Sequence, residues 1–397
     1  MKRYKNRGVM MNNLKLNKTP VRTCNNYLMN DIELKHVDIP KNIEKFNNVI
    51  FQDFDENIKI LNQVKNNKIK YGNGMEEQFE KANIKLTINI SKNSDKPNII
   101  NFIFDEKNNN LIDNIEINIK ENVKANIVIR YAINSLNNFS NSNLRFLSNT
   151  KCNISDCRND DCLINLYNAE SNLKNFYHNG MIKTNLKENA KLNLTVENLL
   201  GKNAVNFINF DNEIGDFTNL EYNYIDFGGD IRVINYYCNV VGKKAVNKLN
   251  SLYLGEKQQI LDYNYIAEIY GKESDVNFEV QGAIKENAHK NFKGTIDFKS
   301  GCTKSKGAEN EFCTLLSDTA KALSLPMLLC TEEDVEGAHS TAAGKVDSQE
   351  LFYIMTRGFT RKEAEKLLIR ANFNEIIEGI MNEEIKKEII EHVNYRL

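Results

Sequence analysis

From Ile84 to Phe298 the chain is written in short alternating runs, and this limits its possible folds more than any other feature. KLTINI (85–90), IEINIK (115–120), LEYNYIDF (220–227) and DYNYIAEIY (262–270) place apolar residues mostly at every second position. Successive side chains of a strand point to opposite faces, so this pattern predicts half-buried strands. Asn, Gly, Asp and Ser clusters separate the runs, and helical spacing is almost absent. Asn is abundant throughout. It tolerates the left-handed conformation that tight turns need.

One turn phrase recurs: IKENVKANI at 119–127, LKENAKLNL at 186–194 and IKENAHKNF at 284–292. Each copy reads as strand, polar turn at Glu-Asn, then a small inward residue (Val123, Ala190, Ala288) that opens the next strand. A repeated strand–turn–strand unit favours stacked coils, a parallel β-helix, over a sandwich of meanders. The repeat is not strict, because the copies are unevenly spaced.

The flanks differ from this core. Residues 1–83 have mixed character, with Pro20 and Pro40 early and a broken helical period from Asn42 to Lys70 that predicts one or two short helices. The β-helix core is assigned to 84–346 and a small helical domain to 347–397. In that domain Asp347 or Ser348 caps a first helix, which Gly358 ends. Thr360 caps a second helix, with Glu363 in the capping-box position. A third is expected from about Asn374. Its many isoleucines leave more apolar surface than a few turns can hide, so the domain must pack on the β region, on a partner, or on both.

Composition excludes several function classes. With 52 basic and 53 acidic residues the net charge is −1, which gives no electrostatic case for nucleic acid or an anionic membrane. No run of about 18 apolar residues exists to span a bilayer. The basic N-terminus lacks the apolar segment of a secretory signal, and eight cysteines in so long a chain read as reduced thiols, so a cytoplasmic protein is expected. P-loops, nucleophile elbows, HExxH and CxxC pairs are absent. Gly228-Gly229-Asp230 is a turn and not a phosphate loop, so the chain is not expected to hydrolyse nucleotides alone.

The chemistry-bearing candidates are few. Cys152, Cys157 and Cys162, with Asp156, Asp160 and Asp161 between them, could hold a metal with His178 as a fourth ligand, although the spacing matches no standard knuckle. Buried thiols are the plainer reading. Cys313 and Cys330 neighbour apolar runs and read as core, whereas Cys302, in SGCTKSKGA, is expected near a turn and more exposed, which makes it a further candidate for metal binding. His339 sits in the small-residue stretch GAHSTAAG (337–344) at the strand-to-helix join. An isolated histidine there is either a structural hydrogen-bonding group or a ligand.

The block from about Asp275 to Phe373 resembles the core of the SufB/SufD family of iron–sulfur cluster assembly scaffolds. The resemblance rests on FKGTI (292–296), LSD (316–318), PMLL (326–329), EDV (333–335), His339, GKVD (344–347) and above all LFYIMTRG (351–358). It implies a right-handed parallel β-helix flanked by helical regions. It further implies pairing with a SufB-like scaffold, or a second copy of the chain, through the β-helix. A SufC-like ATPase would dock on the C-terminal helices, with Phe352, Tyr353, Arg357 and Gly358 as candidate contacts. Departures from the family pattern assign the role. Ala320 stands where SufB-like members have a cysteine, Ser340 where they have a glutamate, and Gly337 where SufD-like members often have a cysteine. The expectation is therefore a non-catalytic, SufD-like scaffold subunit that binds no cofactor stably by itself. It would contribute His339 to an interface with a SufB-like partner, where iron or an iron–sulfur cluster is held transiently. The alternatives are a β-helix carbohydrate-active lyase or hydrolase, and a purely structural interaction module with an inert His339.

Overall fold

The fold follows from parallel pairing in strict register, seen in a computed structural model that describes residues 9–11, 13–23, 29–35, 37–64, 68–133 and 175–397. Two strands make each coil. The first coils are β7 (Ile84–Ile90) with β8 (Asn98–Phe104), β9 (Asn110–Ile119) with β10 (Lys124–Ile133), and β11 (Phe176–Leu186) with β12 (Lys191–Leu199). Then follow β13 (Ala204–Ile214) with β14 (Asn219–Asp226), β15 (Ile231–Val240) with β16 (Val246–Gly255), and β17 (Ile260–Ile269) with β18 (Asp275–Ile284). The last coils are β19 (His289–Phe298) with β20 (Ser305–Leu315) and β21 (Lys321–Cys330) with β22 (Val335–Lys345). Odd-numbered strands stack into one parallel sheet and even-numbered strands into another. This is the expected parallel β-helix, a solenoid whose core lies between the inner faces of the two sheets.

The turns explain the recurring phrase. In its first two copies Asn122 and Asn189 take positive φ (61° and 58°). These turns lie one coil apart and stack, with Asn189 Nδ2 donating to Asn122 Oδ1 at 3.1 Å. The third copy falls on the opposite corner, between β18 and β19, and there Glu286 takes the positive φ of 58°. Val123, Ala190 and Ala288 all point inward and are buried. At the corner used by the first two copies, later coils stack glycine on glycine. A Cβ on Gly242 would lie 1.9 Å from the carbonyl carbon of Gly215, and one on Gly271 1.6 Å from the carbonyl oxygen of Gly242. Only glycine lets the backbone approach this closely.

The N-terminal region is built of strands where helices were expected. Between Asn42 and Lys70 lie β5 (Val49–Gln52) and β6 (Lys59–Leu61), and the nearest helical turn is a 3-10 turn at Glu76–Lys81. The broken helical period was the spacing of short extended segments, which pair antiparallel with β8 and β7 respectively. They close the first end of the solenoid. Before them, β1 (Val9–Met11) pairs with β4 (Val37–Ile39) and β2 (Leu14–Leu16) with β3 (Ile32–Leu34). Leu16, Ile32, Leu34, Val37 and Phe79 lie buried against Ile112, Tyr177, Met181, Phe207 and Val233 on the outer face of the odd-numbered sheet.

The C-terminal helices cover the opposite face. Helix α1 (Ser348–Thr356) is capped by the Asp347 carboxylate, and Gly358 follows it with φ 98°. Helix α2 (Arg361–Gly379) opens with the capping box of Thr360 and Glu363. It runs through Asn374, where a new helix was expected. The break comes at Ile380 instead, and α3 (Glu383–Arg396) is capped by Asn382. Ile369, Phe373, Ile376, Ile385, Ile389 and Val393 pack on Val128, Ile225, Leu252 and Ala283. Much of the tail's apolar surface is thus satisfied within the chain. Arg130 ties the two layers together, bonding Glu197 Oε2 at 2.5 Å and also the Glu388 carboxylate of α3.

Candidate functional site at the open end of the solenoid

The two ends of the solenoid differ. Strands β5 and β6 cover the first coil, but among the described residues no strand pairs with the outer edge of β21 or β22. Strand β22 is exposed along most of its length. Unpaired strand edges invite pairing with another chain. His339 lies at the middle of β22, exposed, in register with Glu309 of β20.

That register places His339 in an inward-facing file. In a parallel ladder, residues paired in register share a face, so the file runs Leu194, Tyr222, Leu249, Phe278, Glu309, His339 from β12 to β22. Facing it on the other sheet runs Ile182, Phe210, Tyr236, Tyr265, Gly294, Pro326. The aromatic members pack edge to face, Tyr236 and Tyr265 with ring centres 6.0 Å apart. Both files change character at the same level. Over the last two coils the apolar file becomes Glu then His, and the aromatic file becomes Gly then Pro.

Glu309 has no exposed surface, and neither carboxylate oxygen has a hydrogen-bond partner. A Cβ on Gly294 would lie 2.1 Å from its carboxyl carbon, so the glycine opposite provides the room it occupies. Burial first, then the neighbouring Glu311 carboxylate, pushes the Glu309 carboxyl up to about 8. Glu311 is differently placed. It accepts from Lys290 Nζ at 2.6 Å, Tyr253 Oη at 2.8 Å and Ser324 Oγ at 2.8 Å. One of two inward carboxylates is therefore fully engaged and the other is not. Sequence reasoning passed over both, although acidic residues at alternate positions of ENEFC (309–313), facing the core, were the available signal.

The remaining candidates disperse. Phe352 and Tyr353, on helix α1 and not on the β22 file, are 68% and 60% exposed, and Met355 and Phe359 close by in the chain are also exposed apolar residues. Arg357 stacks on the Tyr353 ring and donates from Nη2 to its hydroxyl at 2.9 Å. Cys152, Cys157 and Cys162 lie outside the described residues. Cys302 is at a turn but wholly buried, contrary to expectation, and burial pushes its thiol up to about 11, leaving it protonated at neutral pH. Cys330 is exposed where core was expected, because it ends the last strand of its sheet and no coil of the described residues stacks above it. Cys313 is buried as anticipated. His178 is buried in the solenoid, its ring nitrogens 2.7 Å from Asp113 Oδ1 and 2.6 Å from Asn206 Oδ1. Among the described residues no three His, Cys, Asp or Glu side chains converge as a metal site. No described helix is long and apolar enough to cross a membrane.

A parallel β-solenoid flanked by a C-terminal helical layer is thus the class of protein in hand. Residues 161–372, more than half of the chain, match the family described as SUF system FeS cluster assembly, SufBD core domain, and the chain belongs to that SufB/SufD family on its SufD-like side. Similar proteins include the iron–sulfur cluster assembly protein SufD of Bacillus subtilis, 26% identical over 38% of this chain and 35% of that one. SufD of Escherichia coli is 21% identical over 46% of this chain and 43% of its own length. A SufBD family protein of Pyrococcus horikoshii is 27% identical over 53% of this chain and 48% of its own. The matched stretches cover between about a third and a half of these relatives.

Proposed function

We propose that this chain is a non-catalytic scaffold subunit of a SUF-type iron–sulfur assembly complex. The uncovered edge of β21 and β22 meets a SufB-like subunit or a second copy of the chain, and His339 contributes an imidazole to a site completed across that interface. The asymmetry of the two ends carries this reading: one end is closed by the chain's own strands, while at the other no described strand pairs with the outer edge and a histidine faces inward. Neutral imidazole suits ferrous iron and other borderline metal ions. The nascent cluster is the cargo. Soft thiolate ligands would come from the partner: Cys302 and Cys313 are buried with their thiols pushed up to about 11, and the exposed Cys330 engages its sulfur with the Glu332 carbonyl at 2.9 Å. The exposed surface of Phe352, Tyr353, Met355 and Phe359 docks a SufC-like ATPase.

Co-expression with a cysteine-bearing SufB-like subunit and a SufC-like ATPase tests the assembly. A stable complex on size exclusion with light scattering, acquiring visible cluster absorbance on anaerobic addition of iron and sulfide, is expected. Absence of any such complex would refute the proposal.

A further inference from the structure

The resemblance suggests that a carboxylate is missing beside His339, because Ser340 follows it. The fold supplies one from another strand. Glu309 stands in register with His339 one strand in, a strand spacing of about 4.8 Å away, on the same inward face. It is wholly buried, both of its oxygens are unpartnered, and Gly294 opposite leaves it space. A buried carboxylate without donors is costly, since the group loses its water and gains nothing in return. Lys290 does not relieve it, being bound to Glu311 at 2.6 Å. The apolar files below end at this level, so nothing in the packing of the core calls for an acid at this position.

We propose that Glu309 and His339 form half of a coordination site for a divalent metal ion, ferrous iron in the assembly reaction, at the open end of the solenoid. The inference rests on the reading of His339 given above and adds a second ligand from this chain. Carboxylate oxygen with imidazole nitrogen is a donor pair that suits Fe²⁺, Co²⁺, Mn²⁺ and Zn²⁺. Two donors leave most of the coordination sphere to water or to groups of a partner chain. That fits a loading site better than a resident metal. Glu309 gives up its proton as the ion enters, and the ion's charge replaces it as the carboxylate's partner.

The test is anaerobic titration of the full chain with Co²⁺, followed by visible absorption and calorimetry, in the wild type, Glu309→Gln and His339→Ala. Loss of a second-shell partner alone commonly costs about 10–100-fold in metal affinity. Each variant should therefore weaken Co²⁺ binding by about tenfold or more. Wild-type affinity in Glu309→Gln would overturn the proposal. Glutamine is nearly isosteric and uncharged, so it should fold at least as well as glutamate. X-ray absorption of the Co²⁺-loaded wild type gives a second check, with carboxylate oxygen and one imidazole expected and a sphere of water alone contradicting it. Cluster assembly in the complex separates this inference from the one beneath it. Assembly and Co²⁺ binding lost in His339→Ala but intact in Glu309→Gln would sink the Glu309 ligand and leave the proposed function standing. Co²⁺ binding lost in both variants, with assembly intact in both, would leave a divalent-cation half-site but overturn its role in loading iron for assembly, and the function with it.

Discussion

Arg130 of β10 reaches Glu197 of β12 at 2.5 Å and Glu388 of α3 from the other end of its guanidinium, so one buried cation joins the solenoid to the helical layer. Burial raises the Glu197 carboxyl to about 7, while Arg130 opposes that rise. Glu388→Ala removes the helix's half of the bridge and leaves Arg130 with a single partner. A lost hydrogen bond to a charged group costs about 1.5–3 kcal/mol. Hydrogen exchange in α3 should accelerate in that variant while exchange in β13–β19 stays slow. Equal acceleration throughout would show that the bridge does not hold this layer specifically.

Glu309 makes stability depend on pH in an unusual direction. Its folded carboxyl titrates at about 8 against an ordinary 4.5, so between these values the folded chain holds a proton that the unfolded chain has released. Stability is then greatest below the lower value, falls as pH rises through the window, and levels off above about pH 8. The groups facing it are Glu311, Lys290 and His339, and the lysine is engaged by Glu311. Across the whole window the contribution is on the order of 5 kcal/mol. The melting temperature should drop more between pH 5.5 and 8.5 in the wild type than in Glu309→Gln. Identical drops would contradict the assignment.

At the stacked corner, Gly271→Ala places a Cβ against the Gly242 carbonyl oxygen, which is backbone and cannot turn aside. Overpacking of this kind costs about 1–3 kcal/mol, measurable as a lower urea midpoint. An unchanged midpoint would mean that the corner is looser than the stacking implies.

Phe352→Ala and Tyr353→Ala touch residues that are mostly exposed, so neither should change the melting temperature by more than about 1 °C. Capture of a SufC-like ATPase by the double variant should fall at least about tenfold, as for loss of aromatic interface anchors. Undiminished capture would place the ATPase elsewhere.

Much of this architecture was legible in the residues. Period-two runs fixed the strand content, and the Asn122 and Asn189 turns took the left-handed geometry that asparagine permits. Asp347, Gly358, Thr360 and Glu363 marked helix ends because their chemistry is local. What could not be read depended on contacts distant in sequence. The segments around Val49 and Lys59 became strands because β8 and β7 offered open edges to pair with. Cys302 and Cys330 exchanged their expected exposures because coil stacking, not neighbouring apolarity, decides what is covered. For the candidate site, His339 was visible but Glu309 was not, since thirty positions and one full coil separate two residues that the ladder sets side by side.

The central claim is that His339 serves cluster assembly at a shared interface. It is tested most directly by the rate of visible cluster formation in the complex with a cysteine-bearing SufB-like subunit and its ATPase, comparing wild type with His339→Ala. Loss of most of the cluster absorbance, with the complex still assembling at wild-type stoichiometry, is the predicted result. Cluster formation at the wild-type rate and yield in that intact variant complex would contradict the account.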